Sequence, residues 1–203
     1  MNLKEKFVNV LSEIGFEATR IDTLWKDLEK AYSGKSRHYH NLTHLEEMIA
    51  QYEIHHSELT FPTEVLYAIF YHDYIYKATS KENELKSAEY AISILPEKAK
   101  INTDLVFEMI VATKLHQHNE VEDINWLIDF DLKILSKEWK DYETYFKQIR
   151  KEYKIYPDIL YNPGRKKALQ HFLENEFIFQ TETFRTQFEK HARENILREI
   201  QSL

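Results

Sequence analysis

The 203-residue chain has no cysteine, so neither a disulfide framework nor thiolate chemistry is open to it. Three glycines and four prolines are too few to punctuate the many turns of a sheet-rich fold. Nowhere do eighteen apolar residues run together, and the opening MNLKEKFVNVLSEIGF lacks the basic start, unbroken apolar segment and small-residue cleavage site of a secretory leader. Dense Lys/Arg blocks are missing too. With 27 basic against 34 acidic residues the net charge is −7, which offers little counter-charge to a long phosphate backbone. These absences lead to the expectation of a cytoplasmic protein with neither a membrane nor a nucleic-acid polymer as partner.

What is present reads as helix. The hydrophobic fraction of 43% can build a real core, and the length makes one domain over residues 1–203 the default. Phe7, Val10, Leu11 and Ile14, then Ile21, Leu24, Trp25 and Leu28, repeat at the three-and-four spacing of a buried stripe. Ser33-Gly34 interrupts the pattern, which resumes near Asn41 and runs through Leu45, Met48, Ile49 and Tyr52. Pro62 and Thr63, the latter able to cap, open a helix through Val65, Leu66, Ile69 and Phe70. Thr79 or Ser80 can open the next, which stops at Pro96, and Asn102 or Thr103 caps one reaching His116. Val121–Leu135, Trp139–Tyr153, Asp158–Phe172 and Thr183–Ile200 complete an all-α reading without internal repeat or linker.

The chemistry sits in four places. Arg37-His38-Tyr39-His40-Asn41-Leu42-Thr43-His44 sets His40 and His44 four residues apart, on one helical face if the helix includes His40. One imidazole suits a transition metal and the other a proton donor near pH 7, although the same residues suit a solvated helix start. His72-Asp73 follows the apolar run Val65–Tyr71, which places an imidazole and a carboxylate inside the protein. A lone buried carboxylate costs roughly several kcal/mol unless a metal or cation compensates, or the pair satisfies itself. Asp129 and Asp131, set among Trp126, Leu127, Ile128, Phe130, Leu132 and Ile134, supply further carboxylates, of which one need be a ligand. Lys114 and His116 close the Val106–Thr113 segment, as phosphate partners or as a polar helix end. Glu84 reads as a partner of a ligand histidine or as a helix first turn. His55, His56, His171 and His191 read as surface residues, and Phe172, Phe177, Phe179, Phe184 and Phe188 as core.

In order, His44, His72-Asp73 and Asp131 resemble the signature of the HD superfamily of metal-dependent phosphohydrolases. Tyr39-His40-Asn41-x-x-His44 is similar to the corresponding stretch of cyclic nucleotide phosphodiesterases. Most of the chain is similar to a bacterial subgroup of predicted HD phosphohydrolases, through Tyr39-His40-Asn41-Leu42-x-His44, His72-Asp73-x-x-Tyr76, Asn83-Glu84-x-x-Ser87-Ala88, Ala112-Thr113-Lys114-x-His116, Asp129-x-Asp131-Leu132 and Gly164-Arg165. The resemblance implies a helical bundle of the HD type with its metal site at the centre, in about residues 37–135, and C-terminal helices at 138–201 packed upon it. It implies one or two divalent ions (Mn, Mg, Fe, Ni, Co or Zn) on His44, His72, Asp73 and Asp131, the last chosen over Asp129 because Leu132 follows it. Tyr76 stands where the phosphodiesterases carry a histidine, which puts a tightly held second metal in doubt.

The implied activity is metal-activated water attack on the phosphorus of a nucleotide or other small phosphorylated metabolite. His40 is then the proton donor, Asp73 steers the water, and Lys114 and His116 act on the phosphate. Arg37 and Arg165 join Lys114 and His116 in binding substrate, Arg165 having a helix-capping role as its alternative. Two other functions fit the same residues: a non-catalytic regulatory module binding metal or nucleotide, and a di-iron oxygenase. A homo-oligomer is left open.

Overall fold

The protein is described by a computed structural model covering residues 2–203. Among these residues there are ten α-helices and no strand: α1 Leu3–Ile14, α2 Ala18–Tyr32, α3 Leu42–Ile54, α4 Pro62–Tyr71, α5 Asn83–Ser93, α6 Thr103–Ala112, α7 Glu122–Leu132, α8 Trp139–Glu152, α9 Asp158–Glu174 and α10 Glu182–Ser202. Short 3-10 turns occupy His56–Glu58 and Lys133–Ser136. No helix is long and apolar enough to cross a membrane.

Local chemistry sets many of the boundaries. Asn2 accepts from the Glu5 amide while Glu5 accepts from the Asn2 amide, a reciprocal capping box at the start of α1. Gly15 ends the helix at φ 108°, a left-handed conformation that a side chain would strain. Asn41 caps α3, Asn102 caps α6 and Thr181 caps α10.

The apolar run Val65–Tyr71 becomes α4, and helices buried nearly all round belong at the centre. It packs against α1, α3, α5, α6 and α7. Tyr32 reaches it through a hydroxyl that donates to the Phe70 carbonyl at 3.1 Å, and Tyr67 ties it to α5 by donating to Ala91 O at 2.8 Å. The resulting apolar core is continuous from Phe7 in α1 to Ile196 in α10.

Thr63 does not cap α4. Phe61 precedes the helix without a side-chain cap, and the free amides of Thr60 and Phe61 instead donate to Asp123 of α7 at 3.1 and 2.5 Å. Neither Thr79 nor Ser80 caps α5, which starts at Asn83 without a side-chain cap; Ser80 Oγ accepts from the Glu82 amide just ahead of it. α6 ends at Ala112, short of His116, which itself turns the chain with φ 53°. Phe179 and Phe184 are core, but Phe177 is exposed, with the Arg185 guanidinium stacked on its ring. His55 is not an isolated surface residue either, since its ring stacks on Trp126 at 4.8 Å.

α7 is also buried around most of its circumference, and its polar residues serve incoming segments. Asp129 accepts from the amides of Gln180 and Thr181 at 2.6 and 2.8 Å and from the Thr181 hydroxyl at 2.6 Å, pinning the start of α10. Burial pushes its carboxyl up to about 7, while these three donors favour the ionised form. An Asp129→Ala variant leaves buried donors unmade and should lose about 2–4 kcal/mol, seen as a fall in Tm of roughly 5–15 °C in thermal unfolding.

Candidate metal centre and cavity

Residues 129 and 131 are two apart on a helix and so point to nearly opposite sides. With Asp129 committed to α10, Asp131 faces the start of α3 and the end of α4. Its Oδ1 lies 3.2 Å from His44 Nε2, and His44 Nε2 lies 3.3 Å from His72 Nε2. The ligand atoms of His44, His72 and Asp131 all lie within 4.8 Å of one another, a grouping that could hold a metal ion. Asp73 is outside that trio but touches it, with Oδ2 3.2 Å from His72 Nε2.

The donor chemistry fits a cation. His72 Nδ1 is 2.9 Å from the Ile69 carbonyl, which only accepts, so Nδ1 carries a proton and the neutral ring presents the Nε2 lone pair to the cluster. Ligand bonds of about 2.0–2.1 Å at tetrahedral angles separate neighbouring donors by roughly 3.3–3.5 Å. Within the trio, His44 Nε2 keeps such a spacing from Asp131 Oδ1 and His72 Nε2, at 3.2 and 3.3 Å, and the third pair, His72 and Asp131, lies within 4.8 Å. Without an ion, burial lowers the proton affinity of His72, but the Asp73 and Asp131 carboxylates outweigh it and raise the pKa to about 9. Burial likewise opposes ionisation of Asp131, yet hydrogen bonds from His116 and His44 hold it well below the usual carboxylate range. Asp73 is held low against its own burial by His72 and His40.

His40 arrives by a different route from the one its spacing suggested. α3 begins at Leu42, so His40 lies ahead of the helix, not on its face, although its ring centroid still comes within 6.0 Å of that of His44. It is held by Glu152, the last residue of α8, whose Oε2 accepts from His40 Nδ1 at 2.6 Å and from the Tyr76 hydroxyl at 2.7 Å. The other oxygen, Oε1, accepts from the amides of His38, Tyr39 and His40 at 2.7, 2.7 and 3.1 Å. Burial works against ionisation of Glu152, but these donors, His40 foremost, bring its pKa down to about 2. Because a carboxylate only accepts, His40 Nδ1 is the donor and Nε2 is turned toward Asp73, 3.9 Å from its Oδ2. Burial of the ring lowers its pKa, but the charge of Asp73 and the hydrogen bond to Glu152 raise it above the ordinary histidine value.

The cluster opens onto a cavity of about 560 Å³ whose lining includes His40, Asp73, Lys114, His116, Asp131 and Arg165. His116 Nε2 lies 3.3 Å from Asp131 Oδ2. Its positive φ is unusual for a side-chain-bearing residue, and Gln180, donating to the His116 carbonyl at 3.0 Å, helps hold it there. Lys114 donates to the Lys81 carbonyl at 2.6 Å. Arg165 is paired with Glu199 through Nε at 2.7 Å, so its charge is already neutralised. Arg37 is not on the cavity wall: its guanidinium donates to the carbonyls of His40 and Tyr74 at 3.1 and 2.8 Å, fixing the two segments that carry the site.

Sequence reasoning missed Glu152 and Tyr76 as partners of His40. Glu152 was detectable as the acid that continues the buried stripe Tyr142, Tyr145 and Ile149 along α8. No protein-family model matches the chain, and searches of curated proteins and of solved structures returned no match.

Proposed function

We propose that the chain is a metal-dependent phosphohydrolase of the HD type, acting on a small phosphorylated molecule by attack of water on phosphorus. The observation that carries this reading is the grouping of His44, His72 and Asp131, with ligand atoms within 4.8 Å of one another, beside a cavity that Asp131, Asp73 and the Glu152-bonded His40 line. A divalent ion held there supplies a water of lowered pKa and offsets charge developing on the phosphate oxygens.

The chain's own groups supply the rest. His40, whose hold on its proton Asp73 and Glu152 strengthen against its burial, gives the Nε2 proton to the leaving oxygen. Asp73 lies between His72 and His40 and accepts a hydrogen bond from the attacking water. Lys114 offers its charge, and His116 a ring N–H, to the phosphate oxygens from the cavity wall.

Elemental analysis of the purified protein, followed by assays on phosphomonoesters, phosphodiesters and nucleotides with added Mn²⁺, Mg²⁺ or Fe²⁺, tests the reading. Bound metal with metal-dependent release of phosphate is the expected result. Metal without turnover of any ester leaves a binding module, and iron with oxygen uptake leaves redox chemistry. A chain that takes up no metal under any condition ends the proposal.

A further inference from the structure

The cavity has two unlike sides. Its charged side comes from the loop after α4, the end of α7 and the loop after α6, whereas α8, the α8–α9 corner and α9 contribute Tyr145, Ile149, Tyr153, Tyr156, Leu160 and Phe172. Leu160 is 63% exposed and carries this apolar surface out to the lip of the cavity. A ligand with its phosphate on the cluster therefore lays the rest of its body against rings and aliphatic side chains.

Two further observations narrow that body. The only side-chain amide on the lining, Asn83, spends both ends on Lys77, accepting from its amide at 3.1 Å and donating to its carbonyl at 3.0 Å. No side-chain amide is left to read the edge of a nucleobase. The charge supply is also small. Apart from the histidines, the cations on the lining are Arg165, paired with Glu199, and Lys114, which donates to the Lys81 carbonyl and shares the lining with Asp73, Asp131 and Glu84, a supply that does not suit a chain of several phosphates.

We infer that the substrate is a monophosphate ester of an aromatic or otherwise apolar alcohol, with its organic part on the wall formed by Tyr153, Tyr156 and Leu160. This rests on the phosphohydrolase reading above and specifies its substrate class.

Benzyl phosphate, glucose 6-phosphate and adenosine 5′-monophosphate are all monoesters of a primary alcohol, so differences in kcat/KM among them report mainly on the body of the ligand, and adenosine triphosphate adds a test of the phosphate chain. Benzyl phosphate should exceed glucose 6-phosphate by about tenfold or more, with the triphosphate poorest. In a Tyr156→Ser/Leu160→Ser double variant, checked for folding by thermal unfolding, KM for benzyl phosphate should rise and the preference shrink toward equality. A preference for the sugar phosphate or either nucleotide, or a variant that slows every ester equally, overturns the inference. If no ester turns over, calorimetric titration of the metal-loaded protein with benzylphosphonate and methylphosphonate separates the two claims. Tighter binding of the benzyl compound then supports the apolar wall although hydrolysis is lost as a reading, and equal or absent binding overturns both.

Discussion

A His72→Ala variant should bind no divalent metal and hydrolyse no ester. His72 is buried, its Nε2 sits between His44 Nε2 and Asp73 Oδ2, and Nδ1 is fixed by the Ile69 carbonyl, so no neighbouring group can take its place. A His40→Gln variant is the informative contrast. His40 lies on the other side of Asp73 and is held by Glu152, so metal content should stay at the wild-type level while kcat falls by about 10²–10⁴, the usual contribution of a positioned proton donor. Elemental analysis and steady-state kinetics on both variants, with thermal unfolding as the control for folding, check the pair. Full metal occupancy in the His72 variant would remove the cluster from the mechanism, and unchanged kcat in the His40 variant would remove the proton donor.

The second large effect belongs to Glu152. Five donors converge on this one buried carboxylate, three from the backbone of residues 38–40 and two from the side chains of His40 and Tyr76. Truncation to alanine strands all of them, and a loss of about 3–5 kcal/mol is expected, a large share of the roughly 5–15 kcal/mol that holds a domain folded. Its pH dependence follows from the sign of the shift. The folded value of about 2 lies below the ordinary 4.5, so the stabilisation is complete above about pH 4.5 and is lost as pH falls toward 2. Urea unfolding of wild type and Glu152→Gln should therefore differ most near neutrality and converge in acid. In the same variant His40 loses a carboxylate partner and its pKa falls, so the alkaline limb of kcat moves to lower pH. A purely structural Glu152 would leave that limb in place.

How much of this could be read from the residues differs from element to element. The all-helical architecture could, because three-and-four periodicity persists along the chain and the caps at Asn41 and Asn102 are local. The α4 start could not: the Phe61 amide is satisfied by Asp123, sixty-two residues away, and no local pattern announces such a partner. The two acids of α7 shared one apolar setting in the sequence, and what separates them is tertiary, namely the amides at 180–181 that Asp129 serves and the imidazoles that Asp131 faces. Arg37 beside the histidines had the composition of a phosphate site. Backbone carbonyls of His40 and Tyr74 take up its donors, and nothing local distinguishes an arginine that braces a loop from one that binds a ligand.

α9 stands apart from the other helices. Of its 17 residues only Tyr161 and Leu169 are buried, Pro163 interrupts its hydrogen-bond ladder, and its packing is chiefly against α10, with the Arg165–Glu199 pair as its main polar anchor. So little apolar surface secures it that releasing it from the body takes less free energy than unfolding the body itself. Its amides should exchange with deuterium ahead of those in α4, and they should slow when a phosphonate occupies the cavity that this helix walls. The route for ligand entry is then a local detachment of one helix rather than a rearrangement of the core.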